Sequence, residues 1–163
     1  MNDAYHWRYK ASFKSQSVAG ANYNPKKKEI YYFNRDSLRI YNVWSGDSRV
    51  ALFKEKCPVD LILGTNFIDT TRNKLYTYEV YYENTDDAPT VASLDLDTYQ
   101  WTIESNDQLP TQLHHHGSYF NTSTGQYTIF GGFGNMRYSK NFFSYDLEKG
   151  EWEIFDGFTG DNI

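Results

Sequence analysis

The stretch LHHHGSYFNTSTGQYTIFGGFGNMRYSKNFFSYDLEKGEWEIFD, residues 113–156, decides the fold because short apolar and aromatic runs alternate in it with turn residues. Runs of this length, bounded by Gly, Asn and Ser clusters, are typical of β-strands. Turns are predicted at residues 121–125, after Gly131-Gly132 and at 148–150. The pattern therefore predicts four consecutive strands, at residues 115–120, 126–130, 142–147 and 151–155.

The composition of the whole chain favours an all-β domain. Its 163 residues are the length of one ordinary domain, and 18% of them are aromatic, which suits the half-buried surface of strands. The net charge of −5 argues against a nucleic-acid partner, because the one basic cluster, Lys26-Lys27-Lys28, falls in a predicted turn. No window has the length and apolarity of a membrane span. The single cysteine, Cys57, excludes an internal disulfide and leaves the compartment open.

Residues 20–56 and 64–104 repeat the order of strands and turns found in residues 113–156. Trp101 and Trp152 hold equivalent places 51 positions apart, and Ser48 holds that place in the first copy. A period near 50 residues with four strands per copy is the signature of a β-propeller blade. Residues 1–10, with Trp7 in the equivalent place, are interpreted as the last strand of a preceding blade. Residues 1–163 are thus predicted to be a single, partial propeller domain.

The third copy resembles a kelch repeat, the blade unit of propellers such as the central domain of galactose oxidase. The hallmarks are a glycine pair after the second strand, a tyrosine in the third strand and a tryptophan about six residues later. They match Gly131, Gly132, Tyr145 and Trp152. The other copies are degenerate: the second keeps Trp101 but has Leu94 for the tyrosine and Glu79-Val80 for the glycines, and the first has Asn34-Arg35 and Ser48. In this family the hallmarks are structural, so the resemblance implies packing roles for Trp101 and Trp152.

Three blades are too few to close a propeller, which has about 4 to 8. The two outer sheets would then leave large aromatic faces uncovered, and such faces normally mark interfaces. We therefore predict that the segment belongs to a larger propeller, made of further blades of a longer chain or by self-assembly. A dimer would give six blades.

Two features of the sequence bear on metal or redox chemistry, the histidine run at 114–116 and the single Cys57. In the run 114–116, His114 and His116 would face the same side of a strand, which supplies two ligands where zinc needs three or four. A copper site like that of galactose oxidase needs a cysteine linked to a tyrosine, and nothing in the sequence places Cys57 near a tyrosine or this histidine run. We therefore expect no metal and no cofactor.

Repeated acidic pairs are interpreted as turn signals. Asp95 and Asp97, like Asp146 and Glu148, lie at the same hairpin of successive copies, whereas the two acids of a glycosidase face each other across a cleft. No catalytic residue is predicted.

Two loops between second and third strands carry the predicted binding residues. They are residues 79–89 and 131–141, and tyrosine, methionine and arginine, which are enriched in interface cores, occur in them. The predicted partner-binding residues are Tyr81, Tyr82, Phe133, Met136, Arg137 and Tyr138. The sequence thus favours a non-catalytic module that recognises a protein or glycan. The alternatives are part of a galactose-oxidase-like or sugar-modifying enzyme and a sensor module of a larger signalling protein.

Overall fold

A computed structural model describes residues 20–33, 36–59, 65–78, 89–109, 111, 113, 115–134 and 136–155. Within these ranges every regular element is a β-strand, which confirms the prediction of an all-β chain. Among the same residues, no helix has the length and apolar character that a membrane crossing requires. The preceding strand predicted in residues 1–10 lies outside the described residues.

The strands form three four-stranded antiparallel sheets, each with its strands paired in chain order, as predicted. Sheet 1 contains β1 (Ala21–Asn24), β2 (Glu29–Phe33), β3 (Ser37–Asn42) and β4 (Ser48–Leu52). Sheet 2 contains β5 (Asn66–Asp69), β6 (Lys74–Tyr78), β7 (Val91–Asp95) and β8 (Trp101–Ser105). Sheet 3 contains β9 (Gly117–Asn121), β10 (Gln126–Phe130), β13 (Phe142–Asp146) and β14 (Glu151–Phe155). A separate hairpin of β11 (Phe133–Gly134) and β12 (Arg137–Tyr138) stands between β10 and β13.

Six hairpins, two in each sheet, have the same turn conformation. An Asn or Asp ends the first strand, and the residue four positions later has a positive φ angle. In the turn between β13 and β14, the carboxylate of Asp146 accepts hydrogen bonds from the backbone N–H groups of Glu148 and Lys149, and Gly150 has φ 72°. The six starting residues are Asn24, Asn42, Asp69, Asp95, Asn121 and Asp146. The six positive-φ residues are Lys28, Gly46, Asn73, Tyr99, Gly125 and Gly150.

Each sheet packs face to face on the next, so the core consists of two layers. The first layer lies between sheets 1 and 2, and the second between sheets 2 and 3. Strands β1 and β5 are in contact, as are β5 and β9, and the side-chain amide of Asn22 donates to that of Asn66. The first strands of the three sheets therefore lie side by side along one edge of the structure.

In sheets 2 and 3 the fourth strand begins with a tryptophan, and its ring lies in the core layer shared with the preceding sheet. The ring of Trp101 meets the rings of Phe33 and Phe53 edge-on at centroid distances of 5.5 and 5.4 Å. The ring of Trp152 meets Tyr78 of sheet 2 at 5.4 Å. Both indole rings are buried, so each fills the space between its own sheet and the preceding one.

The segment that follows each of the first two sheets adds apolar side chains to the same layers. Val59 is buried between sheets 1 and 2, and Leu109 and Leu113 are buried between sheets 2 and 3. After β8, the carboxylate of Asp107 accepts a hydrogen bond from the backbone N–H of Trp152 at 2.7 Å. The segment between sheets 2 and 3 is thus hydrogen-bonded to β14, the fourth strand of sheet 3.

Candidate functional site

The β11–β12 hairpin projects from the end of sheet 3 and carries most of the predicted binding residues. Gly131 and Gly132, which follow β10, have φ angles of 66° and 94°, a region that side chains disfavour. The chain can therefore leave the sheet sharply at this point. The backbone N–H of Ser139 then donates to the carbonyl of Gly132 at 2.9 Å and closes the base of the hairpin.

An aromatic pair orders the hairpin. Phe133 and Tyr138 are cross-strand partners, and their rings meet edge-on with centroids 5.2 Å apart. Even so, 86% of Tyr138 is exposed, as is 89% of Met136 at the tip. The phenol ring of Tyr138 is thus held by one neighbour while most of its surface faces solvent.

A cleft of about 400 Å³ lies between this hairpin, the segment before β9 and the end of sheet 3. Its apolar part is formed by Leu113, Phe143 and Ile154, and its polar part contains hydroxyl, amide and cationic groups. The lining residues are Thr111, Leu113, Gly134, Arg137, Tyr138, Ser139, Lys140, Asn141, Phe143 and Ile154. The volume lies within the range of small-molecule sites, about 300 to 1,000 Å³.

The structure gathers two of the six predicted binding residues at the cleft. Arg137 and Tyr138 line it, whereas Phe133 supports Tyr138 and Met136 lies at the hairpin tip. Tyr81 and Tyr82 lie outside the described residues. The lining residues Thr111 and Ile154 were not predicted, because they are distant in sequence and only the packing of β14 beside the segment before β9 brings them together.

His115 and His116 of the histidine run do not form part of a regular strand. Strand β9 begins at Gly117, so the predicted strand start at residue 115 is wrong, and His115 has φ 54°, which interrupts any regular alternation. Nε2 of His116 lies 2.5 Å from the hydroxyl of Tyr78. His114 lies outside the described residues. Among those that are described, no cluster of three or more His, Cys, Asp or Glu side chains is placed to hold a metal ion.

Tyr78, His116 and Tyr127 form a polar network inside the second core layer. The hydroxyls of Tyr78 and Tyr127 are 3.2 Å apart. Burial raises the pKa of both phenols, so both stay protonated at neutral pH and can donate hydrogen bonds. The network thus provides hydrogen-bond partners for the buried hydroxyls of Tyr78 in sheet 2 and Tyr127 in sheet 3.

The repeated acidic residues act as turn caps. The backbone N–H of Thr98 lowers the pKa of Asp95, and those of Lys149 and Glu148 lower the pKa of Asp146. Each carboxylate is thus held ionised by the turn it begins. Cys57 is half-buried against the core layer between sheets 1 and 2.

The fold and the cleft together define a class: an all-β protein of three four-stranded antiparallel sheets, with a small hairpin beside a polar cleft. No model of a known protein family matches the chain. None of the curated proteins matches it significantly.

Proposed function

We propose that the three sheets are blades of a kelch-type β-propeller and that further blades complete it. Three cross-strand pairs support this proposal, because they occupy the same place in the three sheets: Phe33 with Leu38, Tyr78 with Val91, and Phe130 with Phe142. The first two pairs are buried under the next sheet. The third belongs to the outer face of sheet 3, where Phe130 and Phe155 are exposed. An additional blade, from a longer chain or a second copy, would cover this face as sheets 2 and 3 cover the others.

We further propose that the chain is a non-catalytic module that recognises a protein or glycan ligand. The observation that carries this proposal is the exposed ring of Tyr138, held by Phe133 at the rim of a cleft lined by hydrogen-bonding groups. Binding sites typically combine an apolar surface with a few fixed polar groups. Exposed aromatic side chains also dominate the binding energy of many interfaces, because they supply a large contact area at a small entropic cost.

The proposal predicts that Tyr138→Ala loses ligand binding while the fold is retained. Wild-type protein and this variant would be applied to an array of oligosaccharides and peptides, and affinities for the bound members measured by calorimetry. We expect at least about a tenfold loss of affinity, the size typical of an interface anchor.

Trp44→Ala is the matched control, since Trp44 is also an exposed aromatic residue but lies in the β3–β4 turn of sheet 1. Affinity should be unchanged in this variant. Equal binding by wild type and Tyr138→Ala, with unchanged circular dichroism, would refute a recognition role for the cleft.

A further inference from the structure

Two cationic side chains line the cleft, those of Arg137 and Lys140. Among the described residues, some lysine and arginine side chains lie within 4 Å of carboxylates, in the pairs Lys27–Asp97, Arg49–Glu29, Arg72–Asp69, Lys74–Glu104 and Lys149–Glu153. Others, such as Lys54 and Lys56, have no ion pair with a described residue. Arg137 and Lys140 form no ion pair with any residue that the structure describes. This occurs in a chain of net charge −5, in which carboxylates outnumber cations. The positive charge of the cleft is therefore not neutralised by its described surroundings.

The described lining of the cleft contains no acidic residue. Beside Arg137 and Lys140 stand three uncharged hydrogen-bonding residues, Thr111, Ser139 and Asn141. The hydroxyl of Ser139 accepts a hydrogen bond from the backbone N–H of Asn141 at 3.1 Å, which fixes the position of both residues. Guanidinium and ammonium groups form their strongest hydrogen bonds with carboxylate, sulfate or phosphate oxygens. The cleft thus offers positive charge together with neutral groups that can bind hydroxyls.

We propose that the cleft binds an acidic saccharide, with its charged group at Arg137 and Lys140 and a sugar ring against Tyr138. This inference rests on the proposed recognition function and specifies its ligand. The exposed face of Tyr138 provides a flat apolar surface for the C–H face of a sugar ring, while the hydroxyl and amide groups suit the ring hydroxyls.

The experiment measures affinity by calorimetry for a panel of uronate, sialylated and sulfated oligosaccharides. Each is paired with its neutral counterpart, the methyl ester or the desulfated form. We expect at least one acidic member to bind about tenfold or more tightly than its neutral form, since a tenfold change corresponds to one charged contact of ordinary strength. The preference should shrink as salt is raised, because both cations are exposed.

The double variant R137Q/K140Q should reduce the affinity for the acidic form to that for the neutral form. The matched control is K54Q/K56Q, which removes the same charge from two exposed lysines that do not line the cleft. This control should bind as the wild type does. Circular dichroism of both variants checks that the fold is retained.

The other outcomes separate this inference from the function it rests on. Equal affinity for acidic and neutral forms, lost in Tyr138→Ala, would overturn the acidic ligand and leave saccharide recognition standing. Binding of poly-glutamate through Arg137 and Lys140, without binding of any saccharide, would overturn the saccharide and leave protein recognition standing. Unchanged acidic binding in R137Q/K140Q, or no binding by any acidic member, would also overturn the inference.

Discussion

Trp152 contributes to two sheets at once. Its backbone pairs with Tyr145 within sheet 3, and its ring contacts Tyr78 of sheet 2. The segment after β8 adds a third contact, since the backbone N–H of Trp152 donates a hydrogen bond to the carboxylate of Asp107. Removing the ring would leave a cavity between the sheets, while the backbone bonds would remain.

We expect Trp152→Ala to lower the free energy of unfolding by about 3 to 5 kcal/mol, the usual cost of truncating a buried aromatic ring. Ile154→Ala, on the same strand but exposed, should cost much less. Urea denaturation followed by circular dichroism measures both. Equal losses for the two variants would mean that the tryptophan ring does not hold the layer together.

The sequence predicts the role of a single residue where that residue recurs at the same position of two repeats. The equivalence of Trp101 and Trp152 could be read from their spacing, and the structure places both rings against the preceding sheet. The contact between Tyr78 and Tyr127 could not be predicted, because the two residues belong to different sheets and only packing brings their hydroxyls together. The cleft was only partly predicted, since Thr111 and Ile154 join it through tertiary structure.

Among the elements, the shared hairpin turn makes the three sheets alike despite their different sequences. A positive φ angle at its last residue explains the glycine at three of the six turns. The other three place Lys28, Asn73 and Tyr99 in the same conformation, with φ angles of 55° to 57°. The turn is thus retained even where its residue is intrinsically unfavourable.

Gly46 and Gly150 allow two effects on stability to be measured separately: the strain of a positive φ angle and the steric overlap of an added Cβ atom. Gly46 has φ 81° and open space around it, so Gly46→Ala should cost about 1 to 2 kcal/mol of unfolding free energy through backbone strain alone. A Cβ on Gly150, with φ 72°, would also lie 3.3 Å from the carbonyl oxygen of Glu104. We expect Gly150→Ala to cost about 1 kcal/mol more than Gly46→Ala, measured by urea denaturation. A smaller loss for Gly150→Ala would contradict this account.

At this scale the sequence predicts the all-β class and the three four-stranded sheets. Strands β10 and β14 have the bounds predicted from their apolar runs and flanking turns, residues 126–130 and 151–155. Where the hairpin of β11 and β12 lies, the sequence predicts only a loop, because two residues per strand are too few to show alternation. Its strands depend on the cross-strand pair of Phe133 and Tyr138, which sequence spacing alone does not reveal.

At the scale of the whole molecule, the proposed propeller predicts association through the outer face of sheet 3. We expect the mass measured by light scattering on a sizing column to rise with protein concentration. Phe155→Glu should suppress this rise, because it places a charge beside Phe142 on that face. Trp44→Glu, in an exposed turn, is the control and should associate as the wild type does. A monomer at every concentration would contradict self-assembly through this face.

The order of the sheets along the chain has a consequence during synthesis. Each sheet consists of strands that follow one another, so it can form as soon as its residues leave the ribosome. The apolar side chains of sheet 1, however, are covered mainly by residues of sheet 2, of which Trp101 is the last along the chain. At translation rates of about 5 to 20 residues per second, roughly 50 residues take about 2.5 to 10 seconds. During that interval the nascent chain exposes the apolar face formed by Tyr31, Phe33, Leu38 and Ile40, which is the kind of surface that chaperones bind.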